Sequence, residues 1–372
     1  MKHKPTTHEV PRERLISLDA LRGFDMFWIT GGGTLLTVLA QQSSAGWMKA
    51  LGEQMEHVPW EGFHFEDLIF PLFMFISGIA IPFALVSKLE RKVPREKLAG
   101  KVFKRAMILV LLGWIYNGVF TNGFENPRFA SVLGQIGIGY LFASLINIYS
   151  KSFKQIIYWL AGILAGIAIL QLLVPVPGVG AGVLTPEGCI NGYIDRMLLP
   201  GRLYGGSFDP EGLLCVVSAI SVTLMGSIAG HILRDKKTND QQKLKTLLLT
   251  GSGVVGLALI LNLFYPIIKA CWTVPFNLLT AGIGSWLIAL FYWIIDVKGW
   301  KKWSFFFRVI GMNSIFIYLL YDLVDTGRTS KYLFGWTVLW GDFGHIVSII
   351  GSILLVWSLL YYMYKKNIFI RV

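Results

Sequence analysis

The stretch His57-Val-Pro-Trp-Glu-Gly-Phe-His64-Phe-Glu-Asp67-Leu-Ile-Phe-Pro71 places two histidines and three carboxylates directly before a long apolar run, Leu68 to Val86. An apolar run of that length predicts a membrane-spanning helix. The ionisable cluster is then expected where water meets lipid, where charged groups are costly to desolvate and often functional. The plainer alternative is a polar loop whose Glu66 or Asp67 favours the positive N-terminal end of a helix.

The composition of the whole chain predicts a membrane protein. Of its 372 residues, 54% are hydrophobic and only 15% are charged, whereas soluble domains are about 25% charged. We predict an all-α, polytopic transmembrane bundle of about ten spans, because apolar windows of about 20 residues recur along the chain. These windows lie at 19–41, 68–87, 106–121, 131–150, 155–174, 212–233, 244–265, 276–295, 304–324 and 345–364. The run Gly31-Gly-Gly33 inside the first window favours close helix packing or a break near a cavity.

The basic residues predict the orientation in the membrane. Alternate polar segments, together with Arg22, hold 27 of the 34 Lys and Arg residues, and the segments between them hold the other seven. Cytoplasmic loops carry such an excess, so both termini are expected in the cytoplasm, with His57, His64 and the long loop 175–211 outside. Topology then explains the net charge of +12, and we expect no nucleic-acid partner.

Two regions are predicted, a cytoplasmic tail over residues 1–18 and a single transmembrane domain over residues 19–372. The tail lacks a cleavable signal pattern, so the first apolar segment is expected to remain in the mature protein. Cys189, Cys215 and Cys271 show no paired or metal-like spacing, so neither a disulfide framework nor a metal site is predicted. We expect a multi-pass protein of the inner or plasma membrane. A homodimer is compatible with these sequence features.

On the outer side, His57 and His64 share a segment with nearby carboxylates. Asp67 could hold a histidine tautomer, as a carboxylate does in a catalytic triad. His64 lies three residues before Asp67, so an intrahelical pair is expected for its side chain. A turn at Trp60 and Gly62 could then bring His57 back towards Asp67.

On the inner side, basic residues face the opening of the first span. Asp19 and Arg22 are three residues apart, which predicts an intrahelical ion pair. Across from them, Lys101, Lys104 and Arg105 open the third span. Such a cluster usually sets topology or contacts anionic lipid. It could equally bind a polyphosphate ligand, with arginine giving bidentate contacts.

The long loop 175–211 is the longest polar segment of the chain. Long loops with little regular structure are commonly functional. Its end, Phe208-Asp-Pro-Glu-Gly212, offers Asp209 and Glu211 as candidate ligands for a substrate. The alternative is that these carboxylates only cap the helix that begins near Gly212, with Pro210 in its first turn.

An ordered set of motifs extends from about Leu15 to the C-terminus. Arg14-Leu-Ile-Ser-Leu-Asp19-Ala-Leu-Arg22-Gly looks like the opening of several integral-membrane acyltransferases. The motifs that follow are His57-x-x-Trp60-x-Gly62, Asp67-Leu-Ile-Phe-Pro71, Gly192-Tyr-Ile-Asp195-Arg196, Asp209-Pro-Glu-Gly212, Pro266-x-x-Lys269-x-x-Trp272 and Gly311-Met-Asn313-Ser314. In this order they resemble the heparan-alpha-glucosaminide N-acetyltransferase family and its bacterial relatives.

The resemblance implies an acetyltransferase that moves acetyl from cytoplasmic acetyl-CoA to the amino group of a glucosamine-type sugar outside. It also implies that His57 is the catalytic residue, as base or acetyl relay, and that Asp67 supports it. No metal is expected. The implied acetyl-CoA site comprises Asp19, Arg22, Lys104, Arg105 and Asn313, and the implied acceptor site comprises Asp209, Glu211, Lys269 and Trp272.

The main alternative is a polytopic transporter or flippase for a sugar or a lipid-linked substrate. Glycine-broken spans with buried charges suit a transporter. Transporters built from repeats carry such breaks at corresponding positions of two halves, and the sequence offers no such pair. A purely structural membrane protein is the weakest alternative.

Overall fold

The computed structural model describes residues 15–120, 125–323 and 326–370, and over these ranges the protein is helical with no β-strand. Residues 1–14 of the predicted tail and residue 121 of the third predicted span lie outside the described residues. The α-helices are α1 Ile16–Phe27, α2 Gly33–Gln42, α3 Gly46–Glu53, α4 Phe65–Ile81, α5 Ser87–Glu90, α6 Arg95–Tyr116, α7 Val132–Tyr149, α8 Phe153–Leu173, α9 Ile190–Leu198, α10 Leu213–Arg234, α11 Asp240–Leu261, α12 Val274–Phe291, α13 Phe305–Gly311, α14 Ser314–Leu323, α15 Thr326–Phe334 and α16 Asp342–Lys365. Wider π-helical turns cover Trp28–Gly32, Pro82–Val86 and Tyr292–Val297, and 3-10 turns cover Lys269–Cys271 and Gly335–Trp340.

Seven helical segments among the described residues are long and apolar enough to cross a membrane. They are Phe65–Glu90, Val132–Tyr149, Phe153–Leu173, Leu213–Arg234, Asp240–Leu261, Val274–Val297 and Asp342–Lys365. An all-helical, multi-pass membrane protein is therefore confirmed, whereas the total of about ten spans and the placement of the termini stay predictions.

The three remaining windows differ in kind from these seven segments. The first window, 19–41, is divided between α1 and α2 by the π-helical turn at Trp28–Gly32. The ninth, 304–324, is divided between α13 and α14 up to residue 323, and residue 324 lies outside the described residues. The third window forms only the second half of α6, whose first half is charged.

The centre of the bundle is formed by α4 and α10. Most of the apolar stretch of each is buried, 67% and 78%, compared with 17% for α8 at the periphery. Glycines allow the two backbones to approach closely: a methyl group added at Gly78 would lie 2.0 Å from the carbonyl oxygen of Thr223. Small residues commonly let membrane helices pack this way. The closely packed centre of the molecule therefore supports the residues at the start of α4.

Candidate active site

The start of α4 fixes a buried carboxylate. Asp67 lies in the first turn, where the helix dipole favours a negative charge. Its Oδ2 accepts a hydrogen bond of 3.0 Å from the backbone N–H of His64, one of the donors that a helix start leaves unpaired. The Asp67 side chain is only 1% exposed, so its second oxygen has to be satisfied by protein groups.

The segment that carries His57 is held over this helix start from two sides. Gly62 adopts φ 120°, a conformation that glycine tolerates, and its N–H donates to the Ile267 carbonyl at 2.9 Å. Trp60 Nε1 donates to the Leu184 carbonyl at 2.7 Å, and its ring packs edge-on against Phe208. The segment is thereby fixed to the chain before α12 and to the long loop.

His57, Asp67 and Lys269 form one hydrogen-bonded cluster. His57 Nδ1 lies 2.8 Å from Asp67 Oδ1, and Lys269 Nζ lies 3.2 Å from the same oxygen. Lys269 Nζ also lies 3.1 Å from His57 Nδ1 and 3.4 Å from His57 Nε2. Because an ionised carboxylate only accepts, Nδ1 donates to Asp67 and Nε2 is left with its lone pair. The His57 side chain is 57% exposed, so this nitrogen can meet a substrate.

Lys269 contributes a second titratable group to the cluster. Burial lowers the pKa of Lys269 from its ordinary value, against the opposing effect of the Asp67 and Glu211 carboxylates. A lysine that gives up its proton more readily can act as a base or as a neutralising partner. The family resemblance implied that Lys269 belongs to the acceptor site, and the structure places Lys269 directly beside His57.

The expected pairing of the His64 side chain with Asp67 is wrong. His64 is the residue before α4 and has an extended backbone, φ −112°, so its side chain leaves the helix. Its Nδ1 lies 2.8 Å from the Glu56 carbonyl oxygen. The bond between the two residues is made by the His64 main chain instead.

Asp209 and Glu211 do not stand open for a substrate amine, because Arg128 occupies them. Arg128 Nε and Nη2 donate to the two Asp209 oxygens at 2.8 and 2.7 Å, and Nη2 also contacts Glu211. Burial alone would lower the pKa of Arg128, but both carboxylates raise it above its ordinary range. Burial raises the pKa of Glu211 to about 7. The sequence had one indication of this network, since Arg128 is an isolated basic residue in a predicted outer loop.

Trp272 is a packing residue in this structure. It is fully buried with φ 47°, and its ring lies edge-on to Phe70 at 5.3 Å. Its carbonyl accepts a 2.6 Å hydrogen bond from Ser218 Oγ on α10. Trp272 therefore holds in place the turn that presents Lys269.

Asp195, quoted only as part of a motif, caps α10. Its Oδ1 accepts the Leu213 N–H at 2.9 Å, whereas Asp209 and Glu211 had been considered for this task. Asp195 comes from α9, a helix inside the long loop that was expected to have little regular structure. Burial raises the pKa of Asp195 to about 6.

A cavity of about 1910 Å³ opens at the other end of the bundle. Arg22, Lys101 and Arg105 are among the basic residues that line it. The predicted pair of Asp19 with Arg22 is present at 3.5 Å, and both residues line the cavity. Lys104 is exposed and lies outside the lining, because neighbouring helix residues point about 100° apart.

Asn313 shapes the wall of this cavity. Its side chain is buried, donating to the Ile368 carbonyl at 3.2 Å and accepting from the Ile370 N–H at 2.9 Å. Its neighbours Met312 and Ser314, together with Ile370, line the cavity. Asn313 therefore acts on the cavity through the segment it fixes.

The cavity and the His57 cluster lie on the same helix, α4, but do not meet. The lining residue of α4 nearest to Asp67 is Phe73, six residues further along the helix. Six residues correspond to a rise of about 9 Å. Within the described ranges, no group of three or more His, Cys, Asp or Glu side chains is arranged to hold a metal ion.

Comparison with known proteins supports the motif order. The heparan-alpha-glucosaminide N-acetyltransferase of Mus musculus is 26% identical over 430 aligned residues, which cover 100% of this chain and 62% of that protein. The same enzyme of Homo sapiens is 28% identical over 378 residues, covering 85% of this chain and 56% of that protein. The chain is a distant relative of these acetyltransferases.

This relationship confirms the resemblance predicted from the motifs. The chain spans about three-fifths of the length of the curated acetyltransferases it matches. No family model matches the chain.

Proposed function

We propose that this heparan-alpha-glucosaminide N-acetyltransferase relative is itself a membrane acetyltransferase. It would move acetyl from cytoplasmic acetyl-CoA to the amino group of a glucosamine-type sugar on the outer side. The observation that carries the proposal is the His57–Asp67 pair at 2.8 Å, built on the central helix whose opposite end borders a basic cavity. The names of the two relatives support the same class of reaction.

The basic cavity suits the donor. Acetyl-CoA carries several phosphate charges, and arginine side chains bind phosphate with two parallel hydrogen bonds. Arg22 and Arg105 line the cavity, and Arg105 is steadied by stacking on the Tyr140 ring at 4.3 Å. The excess of basic residues at this end supports a cytoplasmic opening. Asp19 and Asn313 would act indirectly, by holding Arg22 and the cavity wall.

The His57 cluster suits proton removal from an amine. The amine nitrogen would bond to the thioester carbonyl carbon while His57 Nε2 takes its proton, and the carbon–sulfur bond then breaks, releasing the thiolate. Asp67 holds the tautomer in which Nε2 carries the lone pair. A positioned base of this kind contributes about 10²–10⁴ in rate. The alternative is a relay in which Nε2 first accepts the acetyl group.

The proposal requires the acetyl-CoA thioester to extend beyond the end of the cavity. The thioester has to travel about 9 Å beyond Phe73 to reach the level of Asp67. The acceptor would approach the exposed face of His57, next to Lys269 and Glu211. Residues 19–372 would act as one acyltransferase domain of the inner or plasma membrane, with both termini in the cytoplasm. A homodimer also stays a prediction.

The deciding experiment uses purified protein, radiolabelled acetyl-CoA and glucosamine. We expect label in N-acetylglucosamine with the wild type and a background level with His57→Ala. Transport measurements on vesicles that carry the protein distinguish this function from the alternative. A transporter or flippase would move unmodified sugar or lipid-linked sugar across the vesicle membrane without acetyl-CoA. Such movement without any acetylation would contradict the proposal.

A further inference from the structure

Polar groups also occupy the level between the cavity and the His57 cluster. On the first helix and in the turn that follows it, Asp19, Arg22, Asp25 and Trp28 are spaced three residues apart, each about 4.5 Å further along the axis and turned by about 60° around it. Asp19 and Arg22 line the cavity. Asp25 and Trp28 continue the series beyond the end of the cavity, towards the start of α4.

Asp25 and Trp28 both bury polar atoms that have no partner among the described residues. Asp25 is 1% exposed, and neither of its carboxyl oxygens has a hydrogen bond. The indole Nε1 of Trp28 is likewise buried and unpaired. More than about 90% of buried polar groups in proteins are hydrogen-bonded. Of eleven such unpaired side-chain atoms among the described residues, three are the Asp25 carboxyl oxygens and Trp28 Nε1, on residues three positions apart. Unpaired groups this close together along the chain indicate a place that a ligand completes.

This place adjoins the start of α4. After Phe27 the helix widens into a π-helical turn and breaks at Thr30 and Gly31, with Gly31 at φ 126°. The Trp28 ring lies edge-on to Phe65, the first residue of α4, at 5.2 Å. A methyl group added at Gly33, just after the break, would lie 4.0 Å from Glu66 Oε2. The unpaired groups thus neighbour the two residues that precede Asp67.

The chemistry of the two groups matches one kind of ligand atom. An ionised carboxylate without a partner is very costly to bury, so Asp25 is expected in its neutral form, which has an O–H to donate. An indole N–H can only donate. Two donors buried from solvent fit a single acceptor oxygen that gains negative charge during a reaction.

We propose that the Trp28 Nε1–H and the carboxyl group of Asp25 bind the carbonyl oxygen of the acetyl thioester and stabilise its negative charge in the transition state. The proposal rests on the acetyl transfer proposed above. The attacking nitrogen supplies the electron pair of the new bond to carbon, and the C=O π pair moves to the oxygen. That pair returns when the carbon–sulfur bond breaks, and the thiolate leaves with the bonding electrons.

The first test is Trp28→Phe, which keeps an aromatic ring against Phe65 and removes the N–H together with part of the indole. We expect kcat to fall about 10²–10³-fold, the usual effect of losing one such donor, with the Kd for acetyl-CoA unchanged. Trp357→Phe is the matched control, since Trp357 Nε1 already donates to the Phe306 carbonyl and lies away from the cavity. Its activity should stay at the wild-type level.

Asp25 provides the second pair of variants. Asp25→Asn keeps an N–H donor and should retain much more activity than Asp25→Leu, which keeps none. Infrared spectra of bound acetyl-CoA labelled with ¹³C at the carbonyl provide a readout without turnover. We expect the carbonyl stretch at a lower frequency in the wild type than in Trp28→Phe, because hydrogen bonds weaken the C=O bond.

The outcomes separate this inference from the function it rests on. A wild type that transfers no acetyl group would overturn both. An active wild type whose Trp28→Phe variant keeps its kcat and its carbonyl frequency would overturn the inference alone. Equal activity of Asp25→Asn and Asp25→Leu would remove Asp25 from the site.

Discussion

Three donors converge on the carboxylate of Asp67: the ring of His57, the ammonium of Lys269 and the backbone N–H of His64. The carboxylate is almost fully buried, so each donor offsets part of the cost of removing it from water. The arrangement fixes one nitrogen of His57, and the other lies 3.4 Å from Lys269 Nζ on a ring that is more than half exposed. The side chain of His64 takes no part in it.

His57→Ala should therefore reduce acetyl transfer by about 10²–10⁴, the usual contribution of a positioned base. His64→Ala should keep substantial activity, because the His64 side chain bonds to the Glu56 carbonyl and not to the Asp67 carboxylate. Asp67→Asn should fall close to the His57 variant, since it removes the charge that orients the ring. Turnover of the three purified variants decides, and strong activity of His57→Ala would leave Lys269 as the base.

Arg105 and Lys104 offer a matched pair for the donor site. Arg105→Ala should raise the KM for acetyl-CoA about 10–150-fold, which corresponds to losing a charged hydrogen bond of about 1.5–3 kcal/mol. Lys104→Ala removes the same charge one residue away, outside the cavity lining, and should leave this KM unchanged. Equal effects of both variants would mean that only the general positive potential matters.

Sequence reasoning grouped these two residues, and it grouped His57 with His64, for the same reason. Neighbours along a chain share composition, topology and charge, but their side chains point in different directions. Which one faces the cavity or Asp67 depends on packing between distant segments. The Lys269 contact is a clear example, since it joins residues 269 and 57.

Among the elements, the start of α10 depends on Asp195, and this gives a pH dependence. Burial raises the pKa of Asp195 from 3.8 to about 6. The folded state then keeps a proton that the unfolded state releases, so stability should fall as pH rises from about 4 to about 6. The shift of about two units corresponds to roughly 3 kcal/mol.

Asp195→Asn should abolish this loss, because the amide oxygen still accepts the Leu213 N–H without a charge. The melting temperature in detergent, measured for both proteins from about pH 4 to pH 7, tests it. The variant should gain on the wild type as the pH rises. Asp342→Asn, at an exposed carboxylate, controls for the lost charge. Parallel pH curves for Asp195→Asn and the wild type would contradict the expectation.

The apolar windows predicted seven membrane-spanning segments well, because each of these is one continuous helix with a long run of apolar residues. They could not predict how the first and ninth windows are built. The run Gly31-Gly-Gly33 predicted either close helix packing or a break in the helix, and the structure contains the break. Hydropathy sums over a window and carries no information on whether its backbone stays continuous.

For the whole molecule, the orientation in the membrane can be tested by cysteine labelling. The three native cysteines are buried, so single introduced cysteines should report alone. A membrane-impermeant maleimide should label Arg202→Cys, in the long loop, from outside intact cells. Lys97→Cys, at the start of α6, should react only after the cells are opened. Labelling of both positions from the same side would contradict the proposed placement of the acetyl-CoA site inside and the acceptor site outside.

The gap of about 9 Å between the cavity and Asp67 has an electrical meaning. A cell membrane stores about 2.3 kcal/mol per elementary charge for each 100 mV, and a water-filled channel through this protein would discharge it. On α4 the lining of the cavity ends at the apolar side chain of Phe73. Under the proposed function only the uncharged acetyl group has to cross this gap, so the reaction needs no open path for ions. A protein with the proposed activity would transfer a chemical group across the membrane and leave the membrane potential in place.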